Sequence, residues 1–344
     1  MPASHDQCGA GVNGRESLVV RRVLSNLLAT LLSLVITAVG LELLTRLVAD
    51  DGMQFDLEMW KYAREVKQLA ADPLIGHEHA PNRRARLMGV DFQTNAQGLR
   101  DREFSFERVP GKLRIVMLGD SLTVGWGVPL EQTFAKRIEQ MYAEAGIDAE
   151  VINLGVGNYN TVQEVQAFLT KGYRYQPDVI VLNYFVNDAE PVVPASTPSA
   201  LMRRCYACVF VAGRGDALMR QFFGRLDWAQ YYLSLYGDGS ERGWLDAKAA
   251  IGRLAEFSKA SGIKLMIASL PELHDVDNYR FGPITDLVRK AAEENGAAFV
   301  DVLPALADQP SAKLWVTPPD PHPNAYANAL IAKALFEALQ RLEP

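Results

Sequence analysis

Short apolar runs alternate with helical segments from Lys112 onward, and this alternation limits the possible folds more than any other feature of the sequence. Five runs have the length and composition of buried strands: Leu113–Leu118, Glu150–Leu154, Val179–Phe185, Lys264–Leu270 and Ala298–Val302. Five further segments have helical periodicity: Phe134–Ala145, Val162–Lys171, Leu245–Ser261, Pro283–Glu294 and Ala325–Leu342. This pattern predicts a three-layer α/β/α sandwich with a parallel sheet. Ligands of such folds bind at the carboxyl ends of the strands.

A long uncharged segment precedes this alternating region. No charged side chain occurs from Val23 to Leu41, and a helix of this length nearly spans the ~30 Å hydrocarbon core of a bilayer. Arg15, Arg21 and Arg22 lie before the segment, whereas acidic side chains prevail soon after it, which predicts a cytoplasmic N-terminus and an extracytoplasmic remainder. A cleavable signal peptide is the alternative, but its apolar region has only about 7–15 residues.

The chain therefore divides into four parts. We expect a cytoplasmic tail at 1–22, a transmembrane signal-anchor helix at 23–44, a stalk and N-terminal extension at 45–110, and the α/β domain at 111–344. The extension begins with an amphipathic helix, either a stalk or packed on the domain, and continues as a loop-rich segment from Asp72 to Pro110. Prolines and aromatic residues interrupt the alternation at about 189–242, which we interpret as an insertion beside the site.

Charge and cysteine content exclude several classes of protein. The formal charge is −6 and the pI is about 5.5, which argues against a nucleic-acid-binding protein. Three cysteines are too few for a disulfide scaffold, and no pair of Cys-x-x-Cys motifs is present to form a structural zinc site. We therefore expect no metal, no cofactor and no nucleic-acid partner.

Four polar motifs stand at the ends of predicted elements, where a parallel sheet would bring them to one edge. They are Gly119-Asp120-Ser121-Leu122 after the first strand, Asn153-Leu154-Gly155-Val156-Gly157-Asn158 after the second, Asn187-Asp188 after the third, and Asp320-Pro321-His322-Pro323-Asn324 before the last helix. In this order the motifs resemble those of the GDSL, or SGNH, hydrolases. The resemblance extends from about Asp72 to the end of the chain and implies a flavodoxin-like SGNH hydrolase fold.

The resemblance also implies a role for each motif. Ser121 matches the family's nucleophile and His322 its base, because a serine hydroxyl is a weak nucleophile that must give its proton to a base. The oxyanion of the intermediate would be bound by the backbone N–H of Ser121, the Gly157–Asn158 peptide region and the side-chain amide of Asn187. An amide donates hydrogen bonds without carrying charge.

Three positions depart from the family pattern. Asn158 replaces the usual glycine of the second motif, although asparagine tolerates the left-handed conformation. Pro319 stands where the family commonly has an acid, three residues before its histidine, and Asp320 follows it. Asp320 either orients the imidazole of His322 from there, or a dyad operates without it. The third motif lacks its customary glycine, since Phe185 and Val186 precede Asn187.

Other histidines and cysteines could take part in chemistry, but a structural role is the preferred interpretation for them. His274 follows the fourth strand and could reach the edge of the site, but a loop histidine is the preferred interpretation. His77 and His79 have no third ligand nearby, so we place them in a solvated loop rather than a metal site. Cys205 and Cys208 are expected to form a local disulfide outside the cytoplasm.

These observations predict a membrane-anchored serine esterase that acts on acyl esters, including O-acetyl groups of extracytoplasmic glycans. An O-acetyltransferase that passes the acyl group to a polysaccharide would use the same residues. A degenerate SGNH domain that binds glycan without turnover is an alternative from another class, based on Pro319, Phe185 and Asn158. A dinucleotide-binding protein is disfavoured because the full Gly-x-Gly-x-x-Gly motif is missing.

Overall fold

A computed structural model describes residues 12–192, 199–200, 202–223, 228–318 and 320–342. The first described element, α1 (Val12–Leu44), continues into a π-helical turn at Thr45–Ala49. From Val19 to Ala49 this helix is long and apolar enough to cross a membrane, with a mean hydropathy of 2.3. The span expected at 23–44 lies inside it, whereas residues 1–11 of the expected tail lie outside the described residues.

The N-terminal extension is more ordered than its sequence suggests. It contains α2 (Phe55–Glu65) and four short strands, β1 (Lys67–Leu69), β2 (His77–His79), β3 (Arg84–Leu87) and β4 (Val90–Gln93). Strands β1 and β2 pair antiparallel, and so do β3 and β4. The segment from Asp72 to Pro110, expected to be rich in loops, contains three of these short strands, which the sequence did not predict. Helix α2 lies on the domain, because its side chains Leu57 and Tyr62 are fully buried.

A five-stranded parallel sheet forms the centre of the molecule, as predicted. Its strands are β5 (Leu113–Leu118), β6 (Ala149–Asn153), β7 (Val179–Tyr184), β8 (Lys264–Ser269) and β9 (Ala298–Asp301). Their spatial order is β6-β5-β7-β8-β9. The strand order reverses between β5 and β7, so the loops that follow these two strands open a crevice at the carboxyl edge, the usual ligand position in open α/β sheets.

Helices cover both faces of this sheet, which confirms the three-layer arrangement. The helices that follow β5 are α3 (Ser121–Val124), α4 (Phe134–Glu144), α5 (Thr161–Thr170), α6 (Tyr206–Phe223), α7 (Trp228–Ser234), α8 (Arg242–Ser261), α9 (Gly282–Glu294) and α10 (Ala325–Gln340). Of these, α4, α5, α8, α9 and α10 cover the sheet. Helices α4 and α10 pack against Ile115 and Met117 of β5, whereas α5, α8 and α9 pack on the opposite side with Val116 and Leu118. Alternate side chains of a strand point to opposite faces, so both faces of β5 are apolar.

Two further features position the site. Strands β10 (Trp315–Thr317) and β11 (Asp320–Pro323) form an antiparallel pair directly before α10. Between β7 and α8, the expected insertion contributes α6 and α7, and a disulfide joins Cys205 to Cys208 at the start of α6. The carboxylate of Glu42 in α1 accepts the backbone N–H groups of Tyr206 and Ala207, which connects α6 to the end of α1.

Candidate active site

Ser121 stands at the sharp turn that follows β5. It is the first residue of α3, and the carboxylate of Asp120 caps this short helix by accepting the backbone N–H of Leu122 at 2.9 Å. Gly119 precedes the turn, and a Cβ there would lie 2.0 Å from Oγ1 of Thr123, so no larger residue fits. The turn therefore holds the Ser121 hydroxyl at the carboxyl edge of the sheet.

The structure brings His322 and Asp320 to this hydroxyl in one hydrogen-bonded chain. Oγ of Ser121 lies 2.8 Å from Nε2 of His322, and Nδ1 of His322 lies 2.5 Å from Oδ1 of Asp320. Residues two apart on a strand point to the same side, so β11 aligns the carboxylate with the imidazole without an acid at position 319. Pro319 itself lies outside the described residues.

Trp126 supports the carboxylate from the other side. Its indole Nε1 donates to Oδ2 of Asp320 at 3.0 Å, a contact that the sequence analysis missed. Burial on its own would raise the pKa of Asp320, but hydrogen bonds from His322 and Trp126 and the charge of His322 outweigh it, and the pKa is lowered overall. Asp320 is therefore a carboxylate that receives the Nδ1 hydrogen and leaves Nε2 of His322 free to accept the serine proton.

Lys67 and His77 hold the peptide between Gly157 and Asn158 by its carbonyl oxygen, and this pair of contacts is here called the clamp. Nζ of Lys67 donates to the carbonyl oxygen of Gly157 at 2.5 Å, and Nε2 of His77 lies 3.2 Å from the same oxygen. The C=O and N–H of a trans peptide point in opposite directions, so the N–H of Asn158 points away from Lys67. Asn158 lines the cleft and adopts the left-handed conformation at φ 65°, which suits the glycine position that it occupies.

Gly157 contributes differently from what the sequence suggested. Its own N–H donates to the hydroxyl of Tyr62 at 2.9 Å, so this donor is not free for a substrate. Of the Gly157–Asn158 region, the N–H of Asn158 is the group that remains for an oxyanion.

Asn187 is held beside Ser121 by two carboxylates. Its Nδ2 lies 3.4 Å from Oδ2 of Asp120, which leaves a second amide hydrogen for the cleft. Asp188 closes the turn behind it by accepting the backbone N–H of Phe185 at 3.0 Å and the hydroxyl of Thr161 at 3.1 Å. Burial raises the pKa of both Asp120 and Asp188.

A cleft of about 390 Å³ surrounds these groups. Phe55 and Met59 of α2 form one wall, and the ring of Phe55 stacks on His322 with centroids 5.9 Å apart. Trp228 and Tyr232 of the insertion form another. The insertion therefore borders the cleft as expected, while the contribution of α2 was not foreseen. The spacing of Phe55 and Met59 on one helix face was the only available signal.

The remaining histidines occupy different surroundings from those expected. The solvated loop assigned to His77 and His79 is wrong: both lie in β2, where His79 is buried between the hydroxyl of Tyr62 and the carbonyl oxygen of Gly98. Burial lowers the pKa of His79 to about 3 and that of His77 to about 4. His274 does reach the cleft from a loop, as the sequence analysis allowed.

Replacement of Lys67 with methionine tests the clamp on the Gly157–Asn158 peptide. We expect kcat for ester hydrolysis to fall about tenfold with a smaller change in KM, because a misplaced N–H matters most when the oxyanion forms. Burial lowers the pKa of Lys67 to about 7, so methionine also removes a poorly solvated amine and should not unfold the protein. Lys171→Met, at an exposed lysine paired with Glu78, is the matched control. An unchanged kcat in Lys67→Met would show that the clamp is unimportant.

Several solved structures and one protein family are similar to this chain. Solved structures that resemble the chain include TesA (14% identity, covering 67% of this chain and 99% of that one, TM-score 0.44). The psychrotrophic esterase EstA from Pseudoalteromonas sp. also resembles the chain (14% identity, covering 67% of this chain and 97% of that one, TM-score 0.42). So does the acetyl xylan esterase AlAXEase (16% identity, covering 66% of this chain and 100% of that one, TM-score 0.42). No curated protein sequence matches the chain. Residues 117–330 match the profile of the GDSL-like lipase/acylhydrolase family, and the chain belongs to that family.

Proposed function

We propose that this enzyme is a serine esterase that acts through an acyl-Ser121 intermediate, with His322 as base and Asp320 as the residue that orients it. Membership of the family makes it an ester-hydrolysing enzyme. The observation that carries the assignment of roles is the continuous chain of hydrogen bonds from Ser121 through His322 to Asp320 at the bottom of the cleft. Trp126 completes the chain at its buried end.

The proposed reaction has two halves. In the first, Oγ of Ser121 attacks the ester carbonyl carbon while its proton moves to Nε2 of His322. The N–H groups of Ser121 and Asn158 and the amide of Asn187 bind the resulting oxyanion. His322 then returns the proton to the departing alcohol, which leaves the acyl group on Ser121. In the second half, water attacks the acyl-enzyme by the same sequence of proton transfers and releases the acid.

The features that favoured a degenerate binding domain do not weaken this proposal. Asp320 occupies the place of the missing acid with its Oδ1 at 2.5 Å from the imidazole. Asn158 adopts the conformation that the missing glycine would have adopted. A protein that only binds glycan has no need for a hydroxyl, an imidazole and a carboxylate in this alignment.

We further propose that the substrates are small acyl esters outside the cytoplasm, such as O-acetyl groups of glycans. The small cleft has aromatic walls and suits a short acyl group on a flat, hydroxylated carrier. The apolar helix from Val19 to Ala49 supports a membrane anchor, and the arginines before the uncharged run support an extracytoplasmic domain.

The test measures acid release from a series of esters by the full-length enzyme in detergent. We expect p-nitrophenyl acetate to be hydrolysed with a kcat/KM at least tenfold above that of the decanoate, because a small cleft penalises long chains. O-acetylated xylan and oligosaccharide acceptors then separate hydrolysis from transfer, with acylated sugar detected by mass spectrometry. A preference for the decanoate, or the absence of hydrolysis with every ester, would contradict the proposed substrate class.

A further inference from the structure

A second imidazole–carboxylate pair lines the same cleft. Nδ1 of His274 is hydrogen-bonded to Oε1 of Glu272, and the backbone N–H of His274 donates to Oε2 of Glu272 at 2.9 Å. The acid again stands two residues before the histidine, as in Asp320-Pro321-His322. The carboxylate side chain of Glu272 is only 6% exposed, whereas the imidazole side chain is 41% exposed and borders the cleft.

Aromatic contacts hold this second pair in one orientation. The ring of Trp228 lies against His274 with centroids 4.4 Å apart and planes inclined by 31°. Trp315 approaches His274 edge-on at 5.8 Å, and its indole Nε1 donates to the carbonyl oxygen of Leu273 at 2.7 Å. The hydroxyl of Tyr279 accepts the backbone N–H of Glu272 at 3.3 Å. The imidazole therefore has a buried carboxylate on one side and a fixed ring plane.

This arrangement presents a hydrogen-bond acceptor to the cleft. In the neutral imidazole, Glu272 receives the hydrogen on Nδ1 and Nε2 of His274 carries a lone pair. Nε2 has no hydrogen-bond partner among the residues that the structure describes, in contrast to Nε2 of His322, which faces Ser121. A hydroxyl group is the neutral donor that such a nitrogen binds best.

The loop that carries His274 is joined to the strand pair that carries His322. Trp315, which anchors the loop that carries His274, sits opposite Pro323 in the β10–β11 pair, and His322 is the neighbour of Pro323. His322 is the group that returns the proton to the departing alcohol in the proposed reaction. The alcohol part of the ester is therefore the part that can offer a hydroxyl to His274, which lines the same cleft, whereas a short acyl group has no hydroxyl to offer.

We propose that His274 and Glu272 form a hydroxyl-binding subsite for the alcohol part of the ester, so that the substrates are partly acylated polyols. The inference rests on the proposed function, and it adds a specificity-determining histidine to it. Nε2 of His274 accepts a hydrogen bond from a hydroxyl beside the acylated one. Glu272 fixes the tautomer of His274, and Trp228 shields the bond from water.

The experiment compares two esters that differ in their hydroxyl groups, glycerol 1-monoacetate and propyl acetate. For the full-length enzyme, we expect a kcat/KM ratio that favours the glycerol ester by about tenfold, the value of one well-placed hydrogen bond. His274→Phe keeps a ring against Trp228 but has no nitrogen, and Glu272→Gln removes the carboxylate. Both should bring the ratio close to 1, a reduction of about 5- to 10-fold. Asp277→Asn, an exposed acid in the same loop, is the matched control and should leave it unchanged.

Labelling of Ser121 by a fluorophosphonate distinguishes failure of the proposed hydroxyl-binding subsite from failure of the proposed esterase function. A ratio that stays at the wild-type value in His274→Phe and Glu272→Gln, with Ser121 still labelled, overturns the subsite and leaves the esterase assignment intact. Absence of labelling and of hydrolysis in the wild-type enzyme overturns the proposed function and the subsite with it. A lowered ratio in both variants, with labelling preserved, supports the subsite, because a misfolded variant would lose labelling as well.

Discussion

Replacing Ser121 with alanine is expected to reduce kcat for ester hydrolysis by at least about 10⁴-fold. The oxygen of this hydroxyl is the atom that becomes acylated in the proposed reaction. The fold should be preserved, because among the described residues the hydroxyl is hydrogen-bonded to His322 alone, and the Asp120 cap of α3 does not involve it. Hydrolysis of p-nitrophenyl acetate, together with the circular-dichroism spectrum, measures both effects.

Ser234→Ala is a suitable control for this substitution. The Ser234 hydroxyl donates to the carbonyl oxygen of Tyr231 in α7 and lies outside the cleft. A fluorophosphonate should label the wild type and Ser234→Ala equally and leave Ser121→Ala unlabelled. Hydrolysis near the wild-type rate in a folded Ser121→Ala protein would show that another residue is the nucleophile.

Asp320→Asn is expected to lower kcat by about 10³- to 10⁴-fold while the cleft keeps its shape. An asparagine amide matches the size of the carboxylate, but it is uncharged and can no longer accept from His322 and Trp126 with both of its polar atoms. The imidazole then loses both the fixed tautomer and the charge that stabilises its protonated form in the transition state. Asp286→Asn, at an exposed carboxylate, is the control, and a loss smaller than tenfold would favour a dyad of Ser121 and His322.

The lowered pKa of Asp320 determines the pH dependence of this effect. Because hydrogen bonds and the charge of His322 hold the pKa of this carboxyl below its ordinary value, acidification from pH 7 to pH 5 does not discharge Asp320. A depressed carboxyl pKa also contributes stability that is present above about pH 4 and disappears as the pH falls through the folded-state value. The stability advantage of wild type over Asp320→Asn should therefore shrink below about pH 4, measured by unfolding of the two proteins in parallel.

The central sheet could be predicted closely from the sequence. Each of the five strands lies within one residue of its predicted bounds, because strands buried on both faces are apolar throughout and end abruptly at polar motifs. The short strands of the extension carry no such signal. In β3, for example, Arg84 and Arg86 are exposed and only Leu87 is buried, so three or four residues do not reveal a period.

Only those residues of the candidate site that belong to recognisable motifs could be predicted from the sequence. Ser121 and His322 are 201 positions apart, and their expected proximity came from the family resemblance rather than from any local pattern. Trp126, Lys67 and Phe55 were missed because they act through long-range contacts that no spacing encodes. A buried indole on a carboxylate looks like an ordinary core tryptophan until the fold places it beside Asp320.

The stacking of Phe55 on His322 limits how far the enzyme can reach from a bilayer. Only the segment from Asp50 to Gln54 separates the end of the apolar helix at Ala49 from Phe55, and six extended peptide steps span at most roughly 20 Å. With the helix anchored as proposed, the short connection keeps the catalytic base His322 close to the membrane surface, whatever the orientation of the rest of the domain. Such an enzyme would reach only a thin layer above the lipid headgroups, so its ester substrates would be attached to the membrane or would pass through that layer during export.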